Sequence, residues 1–185
     1  MLQTPDVPLN ERGLAQAERL AGRLSRESIG GILSSDFERA VMTAERVRAA
    51  TGAPLILEPL LQERNFGALR GTAYTELDED PFGPDYVPPG GESWEALHAR
   101  VDAAWERVRD EAGATAGDLV VVTHGLVCWS LVSRHLELAE DVAPLRFGNT
   151  SLTLLEADPP YRVRLLDCTA HLEAAETSDE SSGRA

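Results

Sequence analysis

Cysteine is scarce in this chain. The two that occur, Cys128 and Cys168, show neither a metal-ligand spacing nor the pattern of a disulfide framework, and they read as reduced thiols of a cytoplasmic protein. Positive charge is also short, with 17 basic residues against 31 acidic ones and a net charge of -14. That balance argues against nucleic acid and anionic membrane as main partners, so any phosphate site has to be a local positive pocket. No apolar run reaches membrane-spanning length, the first residues lack a signal-peptide pattern, and no internal repeat is visible. What is present is 43% hydrophobic residues over 185 positions, enough to bury one substantial core. The expected organisation is a single domain over residues 1–170, followed by an acidic tail over 171–185. The tail is too poor in apolar surface to order itself.

The most informative stretch is Leu119-Val-Val-Val-Thr-His-Gly125. Four apolar residues, three of them β-branched, predict a short buried parallel strand, and Gly125 is expected to permit a sharp turn into a helix over 126–136. His124 then stands at the carboxyl end of a strand beside free helix amides, a place suited to an anion. Taken alone it serves equally well as a helix cap.

Elsewhere the chain alternates helix and strand. Leu14, Ala17, Leu20, Ala21 and Leu24 recur at helical spacing and predict an amphipathic helix over 10–26. Residues 29–34 read as a strand, with Ser35 or Asp36 as N-cap of a helix running to about residue 50. Arg39 falls in the first turn of that helix, able to reach an anion at the strand end or simply to be solvated. A brief edge strand at 55–57 follows the Gly52-Ala-Pro54 stop. Residues 60–71 predict a packed loop that carries Glu63, a candidate general acid if burial raises its pKa. Seven prolines and glycines over 72–92 predict an irregular excursion able to cover a pocket. Trp94, Leu97, Val101, Ala104, Trp105 and Val108 mark a long helix from Ser93 to near Gly113, with His98 beside its buried stripe. Residues 150–155 and 162–167, joined through Asp158-Pro-Pro160, read as a hairpin at the sheet edge. The fold class is α/β, a three-layer αβα sandwich with a mostly parallel sheet.

Four motifs occur together and in order: Ser35-x-x-x-Arg39-Ala-x-x-Thr43, Glu63-Arg-x-Phe-Gly67-x-x-x-Gly71, Pro89-Gly-Gly-Glu-Ser93 and Thr123-His-Gly125. With Asp6-x-Pro8-Leu9-x-x-x-Gly13 ahead of them, the set resembles the histidine phosphatase superfamily, the phosphoglycerate-mutase-like proteins, over residues 6–156. The resemblance implies metal-independent phosphoryl transfer from phosphate monoesters through a phosphohistidine, with no cofactor. It implies that Arg39 and Gly125 bind the phosphoryl group, that His124 stabilises charge in the transition state, and that Glu63 protonates the leaving oxygen. A small phosphorylated metabolite is the expected partner, with a homodimer as the protein assembly to consider.

The same resemblance exposes a departure. The family carries its nucleophilic histidine in Arg-His-Gly at the end of a first strand, shortly before the Asp-x-Pro-Leu segment, and only Met1-Leu-Gln-Thr-Pro5 precedes Asp6 here. His98, His135 and His171 are not convincing replacements. Loss of an interior strand would leave a gap of about 10 Å in the sheet. The expectation drawn is that the protein starts upstream of Met1; the alternative is a non-catalytic phosphate binder or a fragment. Between hydrolysis and phosphotransfer, the 61 positions separating Glu63 from His124 favour a small phosphatase, since mutases of the family insert a longer cover there. A phosphoglycerate-mutase-type phosphotransferase remains the other reading.

Overall fold

The computed structural model describes residues 1–139 and 146–173. Helix α1 (Glu11–Leu24) begins where the Asn10 side chain accepts from the Gly13 amide at 2.9 Å, and it buries Ala17, Leu20, Ala21 and Leu24. Strand β1 (Ile29–Ser34) leads into α2 (Glu38–Thr51), and strand β2 (Leu55–Leu57) follows. After three single 3-10 turns come the long helix α3 (Trp94–Ala114), strand β3 (Asp118–Val122) and helix α4 (Gly125–His135). Strands β4 (Leu152–Leu155) and β5 (Val163–Cys168) and the short helix α5 (Ala170–Glu173) close the described chain.

The main sheet has the order β2-β1-β3, and both pairings are parallel. Successive residues of a strand face opposite sides, and the packing follows that rule. Ile32, Val120 and Val122 meet α1 and α2, whereas Leu33, Leu119 and Val121 meet α3 and α4. Helices therefore cover both faces, which makes three layers. α3 and α4 pack on each other through Leu97, Val101, Val127 and Leu131.

Three expectations need correction. The N-cap of α2 is Phe37, not Ser35 or Asp36, and it makes no side-chain cap bond; the Ser35 hydroxyl instead accepts from the Phe37 amide at 3.3 Å. The hairpin is antiparallel as expected, but β4 and β5 form a separate two-stranded sheet. Leu152 and Leu155 of β4 pack on the same two apolar clusters as β3, without a backbone ladder between the two strands. The residues of β3 from Leu119 onward are consequently only half-buried, while Gly31 to Ser34 of β1 are fully buried. Finally, residues 171–173 are helical rather than part of a tail, because the Arg23 guanidinium of α1 meets Cys168 and His171. The remainder of the expected tail, 174–185, lies outside the described residues. Among those described, no helix is long and apolar enough to cross a membrane.

Leu97 has no exposed surface and sits where α3 meets α4 and the sheet. Leu97→Ala is expected to lower unfolding free energy by about 2–5 kcal/mol in urea denaturation, since the surroundings cannot fully close a cavity there. A loss below about 1 kcal/mol would show that this contact is not part of a tightly packed core.

Candidate active site

The register of β1 against β3 sets two strand ends side by side, with Ser34 opposite Val122. The Ser35 amide donates to the Val122 carbonyl at 2.9 Å, which locks the turn after β1 to the end of β3. One residue past the end of β1 and two past the end of β3, the Ser35 hydroxyl lies 2.8 Å from His124 Nε2. Both residues are buried. The Phe37 ring packs against the imidazole at a centroid distance of 5.2 Å.

Arg39 emerges one residue into α2 and donates to the Thr4 carbonyl at 3.1 Å, with its guanidinium 5.1 Å from the Phe37 ring centroid. Arg70 approaches the same ring at 5.8 Å. Burial pulls Arg39 below its ordinary pKa, and Arg70 adds to that while Glu63 opposes it. An arginine so placed remains a cation.

Glu63 lies across the start of α4. One carboxyl oxygen accepts from its neighbour Arg64 amide at 2.9 Å and the other from the Leu126 amide at 3.4 Å. The helix terminus expected to greet a ligand anion thus already faces a carboxylate of the chain itself. Burial pushes the Glu63 carboxyl above its ordinary value, although those two amides and the charges of Arg39 and Arg100 pull the other way. A carboxyl raised in this way holds a proton more readily than a solvated one, as a general acid must.

Arg39, Glu63, His124 and Gly125, the four residues singled out by sequence, line one cavity of about 830 Å³. The reason given for Gly125 is corrected: it is not among the positive-φ glycines, and a Cβ there would meet no heavy atom within 4 Å. The other three histidines of the chain do not line the cavity. His98 pairs with Ser130, His135 with Asp102, and His171 meets Arg23. Cys128 does line it, but burial pushes its thiol up to about 12, with the Glu63 charge assisting, so it is a poor nucleophile at neutral pH.

Sequence reasoning missed what holds Glu63 in place. The loop carrying it and the Pro89-Gly-Gly-Glu-Ser93 turn interlock. The Ala68 amide donates to Pro89 O, Glu92 N to Asn65 O, and the Asn65 amide to a Glu92 carboxyl oxygen, all at 2.8–2.9 Å. A Cβ on Gly67 would lie 2.1 Å from Pro89 O, and one on Gly91 would lie 2.4 Å from Asn65 O, so only glycine permits this approach. Arg100 of α3 grips Glu92 through two hydrogen bonds and donates to the Leu60 and Gln62 carbonyls. Burial opposes the Glu92 charge, yet Arg100 and the Asn65 amide bring its pKa below the ordinary value. The one available signal was the co-occurrence of the two glycine motifs.

His124 is displaced from the usual imidazole value of 6.5 down to about 3, chiefly by burial, with the Arg39 and Arg100 charges adding to it. Between those two pH values the unfolded chain holds a proton that the folded chain does not. The stability His124 allows is therefore present above about pH 6.5 and declines as pH falls, by at most about 1.4 kcal/mol per pH unit. Urea unfolding at pH 7, 6 and 5 should show a shallower decline for His124→Gln than for the natural chain. An identical slope would mean that the folded imidazole titrates normally.

The family model described as the histidine phosphatase superfamily (branch 1) matches residues 1–166. A phosphoglycerate mutase-like protein 4 from Arabidopsis thaliana is 33% identical over 180 residues, covering 91% of this chain and 77% of that protein. Among solved structures, Bacillus stearothermophilus YhfR superposes with a TM-score of 0.79 at 28% identity, over 93% of this chain and 90% of that one. A mycobacterial glucosyl-3-phosphoglycerate phosphatase complexed with VO3 superposes at 0.72 with 26% identity, over 88% of each chain. Motif order, three-layer fold and these likenesses agree: the chain belongs to the histidine phosphatase superfamily.

Proposed function

We propose that this chain forms the site of a phosphatase that hydrolyses small phosphate monoesters through a phosphohistidine, without a metal. The observation that carries the reading is the convergence of one guanidinium, one imidazole and one raised carboxyl, Arg39, His124 and Glu63, on a single cavity. A phosphoryl group in transfer spreads charge over three equatorial oxygens, and the protein contributes fixed cations and donors to them. Arg39 presents a planar fork to two of these oxygens. His124, which burial keeps neutral, donates to the group from a ring nitrogen, and the backbone at Gly125 lies alongside. As the bond from phosphorus to the leaving oxygen breaks and the bond from the nucleophilic nitrogen to phosphorus forms, the Glu63 proton passes to the leaving oxygen. Water then attacks phosphorus, giving a proton to Glu63 as the bond from phosphorus to the nucleophilic nitrogen breaks, and inorganic phosphate leaves.

The nucleophile is the one group this chain's described residues do not supply, since three of its four histidines have partners away from the cavity and His124 is held by Ser35. We assign it to a strand that enters between β3 and β4, two strands that share apolar clusters but no ladder. Hydrolysis rather than transfer is supported by the open cover of the cavity, where Tyr74 is 53% exposed and Phe82 37%. The name of the Arabidopsis relative keeps phosphotransfer as the second reading, and that of the mycobacterial one accords with hydrolysis.

The test compares two proteins, residues 1–185 and the same chain extended upstream by its in-frame coding sequence, on p-nitrophenyl phosphate. The extended protein is expected to turn over and to keep its rate in excess EDTA. Glu63→Gln should lower kcat by about 10²–10⁴-fold on an alkyl phosphate, whose leaving oxygen needs the proton, and by less on the aryl ester. Residues 1–185 should bind vanadate without turning over. EDTA-sensitive turnover, or an acid-labile phosphohistidine on residues 1–185, would contradict the account.

A further inference from the structure

The cavity has a second pole that the phosphoryl chemistry does not use. Phe66, Tyr74 and Phe82 line it together, with Phe66 to Phe82 at 5.7 Å edge to face and Tyr74 to Phe82 at 6.2 Å. Phe66 is buried, whereas Tyr74 and Phe82 remain open. A large apolar ring left facing water costs free energy unless something covers it.

These rings are held in place. The carbonyl before Phe82, that of Pro81, accepts from the buried Arg64 guanidinium at 3.0 Å, and the carbonyl after it, that of Gly83, accepts from the Trp94 indole at 2.8 Å. The same guanidinium also holds the Tyr86 and Glu92 carbonyls and stacks 4.2 Å from the Trp94 ring centroid. The excursion is thus anchored at several carbonyls, and Phe82 is presented as a rigid face that does not collapse onto the core. Arg64 adjoins Glu63, so one residue step links the proton donor to the anchor of the aromatic wall.

The turns that carry the two open rings are closed locally: the Asp80 carboxylate accepts from the Phe82 amide at 2.9 Å, and the Glu76 carboxylate accepts from the Ala73 amide ahead of Tyr74.

We infer that the site takes phosphate monoesters whose organic part offers a flat carbon face, held by Phe66, Tyr74 and Phe82. Aryl and nucleoside-like esters fit this wall, and phosphoglycerate has no ring to lay against it. This rests on the phosphate-site reading above and narrows it to a substrate class.

Calorimetric titration of the chain with inorganic phosphate, phenyl phosphate and 3-phosphoglycerate separates the two levels. Phenyl phosphate is expected to bind about tenfold more tightly than phosphate, and 3-phosphoglycerate no more tightly than phosphate. In the Tyr74→Ala/Phe82→Ala double variant, the ratio of phenyl phosphate to phosphate affinity should fall toward one. A ratio near one in the natural chain, a ratio unmoved by the double variant, or a preference for 3-phosphoglycerate would overturn the inference while leaving the phosphate site standing. If inorganic phosphate itself does not bind, or binds equally well to Arg39→Ala, the underlying reading falls and the inference with it.

Discussion

The parallel pairing of β1 with β3 is the constraint on which the site depends. Because Ser34 stands opposite Val122, the turns that follow both strands leave the sheet at one level, and Ser35 and His124 come within 2.8 Å across 89 positions of sequence. A slip of one residue would reverse which face each side chain occupies and part the pair. The register is held by burial on both sides of the sheet, with Ile32 in one cluster and Leu33 in the other. Helix α2 then starts with Arg39 in its first turn, and α4 starts beside the Glu63 carboxyl.

The charges at the site compensate one another. Glu63 meets the N-terminus of α4 and the field of Arg39, while burial, with the charges of Arg39 and Arg100, keeps His124 neutral. A phosphate entering this arrangement would supply the negative charge that favours a proton on both groups. The sum over the whole chain is strongly acidic, yet at this one place two arginines approach a single phenylalanine ring. The local field therefore runs opposite to the global one, as an anion site in an acidic protein requires.

Much of this was legible in order of residues. Helical spacing located α1 and α3 to within a few positions, and the β-branched run located β3, because both signals are local and periodic. The resemblance carried by the four motifs brought Arg39, Glu63 and His124 forward as a set, and all three line one cavity. What was not legible is tertiary. Nothing in the spacing of β4 and β5 says that they stand apart from the parallel sheet, since pairing partners are chosen across the fold. The cap of α2 was misread because Ser35, a good capping residue by type, is drawn instead to His124. His171 looked like the first residue of a solvated tail because Arg23, its partner, lies 148 positions earlier. The Arg64 and Glu92–Arg100 anchors show the same limit: a buried arginine is invisible until the carbonyls that satisfy it are in place.

The account's central claim is that three side chains from separate turns address one oxyanion. A crystal structure of the protein grown with orthovanadate tests it most directly. The prediction is an oxyanion within hydrogen-bond distance of the Arg39 guanidinium and the His124 imidazole, with the Glu63 carboxyl on the side from which a leaving group departs. Vanadate bound elsewhere, or bound in the cavity without Arg39 and His124, would contradict it.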